Sequence, residues 1–490
     1  MAGTEAFLWL GLGALLSVFY HGRWTVALAP WLALVSLLHF ARVEGPVAGF
    51  LWIWFALLIA YGVANRGVMP LPRAAYVGIF VVIALFPALA FLADRLLGPG
   101  VPGFASTLVF PLAWVALEFV SSRVNPFGTW GCVAYSQYGD LPLMQLVSVT
   151  GISGIAFLIA WFASVVNWAW DHHFEWATVG PGILTYAAVV GSIYIAGGVR
   201  LALKSANERT VRVAVIGWPD GLLEQSELMR VFGPTLSDTE QANLRRRFEH
   251  IHDKFLDDTR REARAGARIV VWPEACALTF AEDEATFLER SQRVAQEEQV
   301  YLLMGMGTFH ATRPRPIENK SVLIDPSGEM RWSYLKITAV PGVEARANVC
   351  GKAPLPSDDT PYGRLAGAIC FDMDFPPIIR QAGRVGADLL LVPASDWADI
   401  GCLHLAMAVF RAVENGAALV RATRWGHSAA TDPYGRTLSF MDHFATAERG
   451  MVAHVPMTAG VRTVYARMGD WFAWLCVAAF LLLVVRNVIR

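Results

Sequence analysis

Long apolar runs decide most of what this chain can become. Seven of them, near residues 6–20, 24–41, 46–64, 74–93, 103–122, 143–170 and 176–199, fill the first two hundred positions, and an eighth follows at 471–485. Each approaches the roughly 20 mostly apolar residues that a helix needs to cross a bilayer. In lipid every backbone N–H and C=O must be satisfied internally, so such runs fold as a bundle of helices. Trp and Tyr gather at the segment ends (Tyr20, Trp24, Trp170, Trp176, Trp471), where amphipathic rings favour the headgroup layer. Only 17% of the residues are charged, against about 25% in a typical soluble protein. No basic residue precedes the first run, so a retained first helix is expected there rather than a cleaved signal.

Eight spans place both termini on one side and the long polar segment on the other. Arg42, Arg95, Arg486 and Arg490 then lie with the termini, and Arg23, Arg66, Arg73 and Arg123 lie opposite. The two sides balance, so positive charge does not orient the chain.

Residues 206–465 have a different character and hold most of the charge. Short apolar, β-branched runs recur near 211–216, 268–272, 301–305, 321–324, 365–370, 387–392, 417–421 and 450–455. Helical patterns lie between them. In 238–265, Leu244, Phe248, Ile251 and Phe255 recur at spacings of four, three and four, which puts them on one helix face. Residues 284–299 and 404–415 read the same way. Strands alternating with helices predict one layered α/β domain. The expected plan is a transmembrane domain of about seven helices at 1–205, the α/β domain at 206–465, and a closing span at 466–490. Residues 222–238, rich in loop formers, occupy a position suited to a lid.

Several function classes are disfavoured. A net charge of −1 gives no general attraction to nucleic acid. The six cysteines (Cys132, Cys276, Cys350, Cys370, Cys402, Cys476) form neither a C-x-x-C pair nor a Cys/His metal pattern, so neither a disulfide framework nor a structural zinc is expected. His172 and His173 lack a third ligand pattern. Glu118, an acid inside an apolar run, is expected to face a cavity or partner, or to reach the interface.

Three stretches carry candidate chemistry. Val270-Val-Trp-Pro-Glu274 ends an apolar run on a carboxylate braced by proline. Tyr334-Leu-Lys336 ends another on an ammonium, and Gly367-Ala-Ile-Cys370 ends a third on a thiol. Taken singly, these are an ordinary loop acid, a surface lysine and a small buried hydrophobe. Taken together they form a set. A thiol is a poor nucleophile until it loses its proton, so it needs a base and a nearby positive charge. Glu274 supplies the base and Lys336 the charge. The ammonium, with the Phe371 backbone N–H, also suits the oxyanion of a tetrahedral intermediate. The combination predicts acyl transfer through a thioester.

In this order, Pro273-Glu274, Tyr334-Leu-Lys336 and Ile369-Cys370-Phe-Asp-Met-Asp-Phe-Pro376 resemble the carbon–nitrogen hydrolase (nitrilase) superfamily. Seven spans, such a domain and one closing span are similar in layout to the apolipoprotein N-acyltransferase family of bacterial inner membranes. Trp114-Val-Ala-Leu-Glu118, Pro142-Leu-Met-Gln145, Gly151-Ile-Ser-Gly154, Arg411-Ala-Val-Glu414 and Arg421-Ala-Thr-Arg-Trp-Gly426 are similar to further stretches of that family. The resemblance implies a membrane bundle of about eight helices with an inserted αββα sandwich. It implies a phospholipid acyl donor, an acceptor amine on the diacylglyceryl-cysteine of an apolipoprotein, and no cofactor or metal. Cys370 would carry the acyl chain, Glu274 would act as base and then acid, and Lys336 would support the oxyanion. Glu344, Phe371, Asp372 and Trp397 are the supporting or substrate-binding candidates. A monomer in the bacterial inner membrane, with its catalytic domain on the periplasmic side, is expected on the same ground.

The chain departs from the family pattern in several places. Phe371-Asp372 stands where Tyr-Glu is usual, and Arg424 where Asn is usual. Ile216-Gly-Trp-Pro219 replaces a Gln-x-Asn segment, and Ala394-Ser-Asp-Trp397 looks like a shortened Ser-Asn-Asp-x-Trp. The cysteine segment leans toward soluble amidases. Two alternatives therefore stay open: a membrane-tethered amidase acting on a small amide, and a non-catalytic membrane scaffold. Trp218, Trp397 and Trp425 suit either an acyl groove or core packing.

Overall fold

A computed structural model of the chain describes residues 2–203, 209–219, 237–310, 316–342, 344–446, 449–457 and 461–489. Residues 220–236, and with them nearly all of the expected lid stretch, lie outside the described residues. The chain divides into two compact units, residues 1–204 with 463–490 and residues 205–462.

The first unit is helical. Six of its helices are long and apolar enough to cross a membrane: Pro46–Ala64, Arg73–Gly100, Gly103–Val124, Ile152–Asp171, Trp176–Ala202 and Trp471–Ile489. The first two expected spans form shorter helices, Ala2–Ser17 of 16 residues and Ala29–Val43 of 15. At 1.5 Å per residue they reach about 22–24 Å, short of the ~30 Å hydrocarbon core. The expected span at 143–170 is corrected. Gly151 sits at φ 65° and breaks it, so the long helix starts at Ile152, after short turns at Leu141–Met144 and Val147–Thr150. Proline marks two other starts, Pro30 at the head of Ala29–Val43 and Pro46 after a Gly45 cap, where its missing N–H costs nothing. Arg42 reaches Asp94 at 2.9 Å and Asp171 at 3.1 Å, joining three helices. Glu118 accepts the Val133 N–H at 3.0 Å and lines a cavity with Tyr20, His21, Tyr61 and Asn65, which agrees with the expected inward-facing acid.

The second unit is built on two sheets. In the first, strands run in the order β14 (Gly450–Pro456), β1 (Thr210–Ile216), β2 (Ile269–Val271), β4 (Tyr301–Phe309), β5 (Ile317–Ile324) and β6 (Met330–Leu335). β3 (Ala277–Phe280) pairs with β4, and β7 (Asn348–Val349) with β5. The second runs β13 (Thr437–Asp442), β12 (His427–Thr431), β11 (Ala418–Arg424), β10 (Leu389–Ser395), β9 (Gly363–Gly367) and β8 (Ser357–Thr360). The inner strands β1, β2 and β4 are parallel, as are β9, β10 and β11. Every residue of β2, β4 and β11 is buried. A strand can be hidden on both faces only if each face is covered, and the αββα layering does this.

One helix layer shows how the sequence builds it. Ser237 and Glu240 form a capping box at the start of Asp238–Arg264. Phe248, Ile251 and Phe255 are at most 2% exposed and pack with Trp272 of the first sheet, while Leu244 lies at the edge of the same cluster. On the second sheet the Gly401–Asn415 helix is buried at every position but Cys402. The expected strand at 365–370 is corrected: β9 stops at Gly367, and Cys370 opens a turn.

Parallel strands present their carboxyl ends along one edge, where open α/β sheets bind ligands. Here the exits of β2, β9, β10 and β11 carry Glu274, Cys370, Asp396 and Arg424. Gly305 of β4 permits the first of these, because a Cβ there would collide with the Pro273 carbonyl and the Glu274 Cα. Gly305→Ala is therefore expected to cost about 1–3 kcal/mol of stability and to displace Glu274. Denaturation of the full-length protein in detergent, alongside its activity, measures both; a variant as stable and active as the parent would refute this account of β4.

Candidate active site

Two strand exits and one strand end bring the expected set together. Glu274 follows β2, Lys336 follows β6, and Cys370 follows β9. All three are buried, at 2%, 2% and 4% exposure. Lys336 Nζ donates to Glu274 Oε1 at 2.8 Å and to both Glu344 oxygens at 2.9 and 3.0 Å. The Cys370 thiol donates to the Ser395 carbonyl at 3.6 Å, and it lies near enough to Glu274 and Lys336 to feel both charges.

The backbone is strained at Cys370 and beside Glu274. Cys370 sits at φ 47°, and Ala275, directly after Glu274, also at 47°. Trp425, after β11, sits at 57°. Non-glycine residues are rare in this region and persist only where their surroundings hold them. The strain turns each side chain out of its strand line.

Charge sets the protonation states. Burial opposes ionisation of Glu274, but the Lys336 ammonium and the Asn319 amide, 2.6 Å away, hold its carboxyl below the usual range. Burial would also discharge Lys336, yet Glu274 and Glu344 push it well above its ordinary value. Burial raises Glu344, helped by the charge of Glu274. Burial and the Glu274 charge raise the Cys370 thiol, and Lys336 offsets only part of this. The resting pair is thus a protonated thiol facing an ionised carboxylate.

The supporting candidates divide. Glu344 holds Lys336 from the far side and accepts the Val340 N–H at 3.0 Å. Asp372 does not face the thiol. Its carboxylate accepts from Tyr334 Oη at 2.9 Å, Thr338 Oγ1 at 2.6 Å, Thr338 N at 3.0 Å and Ile369 N at 3.2 Å. It ties the lysine loop to the turn that carries Cys370. Phe371 is buried, its ring 5.2 Å from Phe375. Trp397 is half-buried in the loop after β10, where its carbonyl accepts the Ile400 N–H at 3.1 Å.

Sequence reasoning gave Asn319 no role and missed a buried quartet behind the thiol. Asp396 Oδ1 lies 2.8 Å from His404 Nδ1 and 2.9 Å from Arg421 Nη2, and His404 Nε2 lies 3.2 Å from Asp374 Oδ1. Burial disfavours a charged His404, but Asp374 and Asp396 outweigh it and raise the imidazole to about 9. Burial raises the Asp374 carboxyl, with His404 opposing it, whereas Arg421 and His404 outweigh burial at Asp396 and hold it below its usual range. Donor atoms of Cys370, Asp396 and His404 fall within 4.8 Å of one another, a spacing compatible with a metal ion, but Arg421 already fills the cation's place beside Asp396. A signal was present: His404, Arg411 and Glu414 interrupt an otherwise apolar helix, and charges inside a buried helix call for partners.

Residues 239–456 match the carbon-nitrogen hydrolase family, and residues 7–165 match the apolipoprotein N-acyltransferase N-terminal domain. The chain resembles apolipoprotein N-acyltransferases over most of its length. It is 28% identical over 462 residues to the apolipoprotein N-acyltransferase of Geobacter metallireducens, covering 88% of this chain and 82% of that one. Against the enzyme of Gloeobacter violaceus the identity is 26% over 487 residues, with 92% and 88% covered. A solved amidase from Nesterenkonia sp. aligns at 23% identity and a TM-score of 0.41, covering 52% of this chain and 93% of that one. These matches extend over both the helical and the α/β unit.

The charge balance predicts two opposite effects of one substitution. Glu274→Gln removes the negative charge that keeps the thiol protonated, so Cys370 should ionise at lower pH and its alkylation profile should shift toward neutrality. Where Glu274 serves as the base, the same variant should also lose about 10²–10⁴-fold in turnover. Iodoacetamide labelling across pH, read by mass spectrometry, gives the first effect and a turnover assay the second. An alkylation profile that stays put or moves to higher pH would contradict the assigned protonation states.

Proposed function

We propose that this protein is an apolipoprotein N-acyltransferase working through Cys370, Glu274 and Lys336. The observation that carries the reading is the buried Lys336 ammonium bridging Glu274 and Glu344, with the Cys370 thiol within range of both the Glu274 and the Lys336 charge.

In the first half-reaction Glu274 takes the thiol proton as Cys370 Sγ attacks the sn-1 ester carbonyl of a phospholipid. Lys336 and the Phe371 N–H receive the oxyanion, a contribution of order 10²–10³ in rate per donor. Collapse breaks the C–O bond, and the leaving alkoxide takes the proton from Glu274, giving a lysophospholipid and a Cys370 thioester. In the second half the neutral α-amine of a diacylglyceryl-cysteine attacks the thioester. Glu274 accepts a proton from that nitrogen and returns one to the departing sulfur. The product is an amide, and the thiol is restored. A protonated resting thiol suits this scheme, because proton removal coincides with attack. The enzyme acts from a bacterial inner membrane, as a monomer, with the α/β unit on the periplasmic side.

The amidase and scaffold alternatives are less well supported. The N-terminal family match and the full-length relatives favour the acyltransferase, and a scaffold has no use for a buried, charge-balanced thiol site.

Incubation of the full-length protein with a phospholipid of defined acyl chains should add one acyl mass to Cys370. Diacylglyceryl-peptide should then discharge it as an N-acyl peptide. Cys370→Ala should reduce both steps to background while still inserting in membrane. Acyl transfer that survives in this variant would refute the assignment, and turnover of simple amides with no lipid adduct would favour the amidase.

A further inference from the structure

Five lysine or arginine side chains are buried among the described residues of the α/β unit: Lys320, Lys336, Arg411, Arg421 and Arg424. Four of them meet carboxylates at 2.7–2.9 Å: Glu284, Glu274 with Glu344, Glu414, and Asp396 respectively. Arg424 does not. It is 7% exposed, and its polar contacts are neutral oxygens, the Ala275 carbonyl at 2.9 Å and the Ser395 hydroxyl at 3.4 Å. Nη2 donates to no described residue. The guanidinium lies against two indoles, 4.4 Å from the Trp425 ring centre and 5.1 Å from that of Trp218.

This placement is unusual in two ways. A guanidinium keeps its proton in proteins; here the charge of Glu274 acts on it only at a distance, with no acid in ion-pair contact among the described residues, and a buried charge so placed is strongly unfavourable. The group also borders the reacting atoms. Ala275 is the strained residue after Glu274, and Ser395 supplies the carbonyl facing the Cys370 thiol. The aromatic stacking and the carbonyl fix the plane of the guanidinium, leaving a nitrogen ready to donate. Planar donors of this kind recognise phosphate oxygens with defined geometry.

We infer that Arg424 binds the phosphodiester of the acyl donor, supplying specificity for a phospholipid over a phosphate-free lipid ester. The inference rests on the phospholipid-donor reading above. In a diacyl phospholipid the phosphodiester sits on the same glycerol as the ester that Cys370 attacks, so one anion site beside the thiol can set the register of the donor.

The test compares single-turnover acylation of Cys370 by phosphatidylethanolamine and by diacylglycerol with the same chains, using full-length protein in detergent and intact mass as the readout. In Arg424→Gln the ratio of phospholipid to diacylglycerol rates should fall about tenfold or more, the loss of a charge-assisted contact. Arg424→Lys keeps the charge but not the planar fork, and the ratio should fall by about threefold. Equal losses on both donors would overturn the inference and make Arg424 a structural group. So would an unchanged ratio in Arg424→Gln or, should that variant not fold, in Arg424→Lys. An unchanged ratio with Arg424-dependent inhibition by inorganic phosphate would place free phosphate, not the donor, at this residue. A wild-type protein that accepts diacylglycerol but no phospholipid would refute the donor reading itself.

Discussion

A single buried ammonium holds the candidate site together. Lys336 is almost fully enclosed and would be intolerable there alone, since desolvating an ion costs several kcal/mol even after relaxation. Glu274 and Glu344 offset that cost from opposite sides. In return the ammonium keeps Glu274 ionised inside the same low-dielectric space, and an ionised Glu274 keeps the neighbouring thiol protonated. Each state depends on the next, so removing any one charge changes the others. The site behaves as one electrostatic unit rather than as three independent residues.

Backbone geometry makes that unit possible. Glu274 and Cys370 leave different sheets, and neither could reach the other if its strand ran on straight. The left-handed conformations at Ala275 and Cys370 turn the chain at those points. Asp372 then fixes the distance, because four donors from the lysine loop and the nucleophile turn converge on its carboxylate. The quartet of Asp374, His404, Asp396 and Arg421 braces the second sheet behind the thiol. Arg424 stands outside this quartet, the one buried arginine or lysine described in the α/β unit without an acid.

Much of this was legible in the chain. Periods of three and four placed Phe248, Ile251 and Phe255 on a buried face, and the structure has them there. The three functional stretches were visible because each ends an apolar run on a reactive group. Other features were not legible. Asn319 lay just before an expected strand and drew no role, yet its amide reaches Glu274 across 45 positions. Asp372 read as a displaced acid, and only the fold shows that it is fully occupied as a clamp. The break at Gly151 was hidden because glycine inside an apolar run is common and hydropathy does not register φ.

The sequence by itself determined the division into a helical membrane part and an α/β part, because hydropathy and periodicity are local properties of a chain. It also determined which thiol, acid and amine were available for chemistry. Tertiary structure alone decided the protonation states of those groups, which acids pair with Lys336, and that Arg424 meets no acid in an ion pair among the described residues. Such facts depend on distance and desolvation between segments remote in sequence, and no local pattern encodes either.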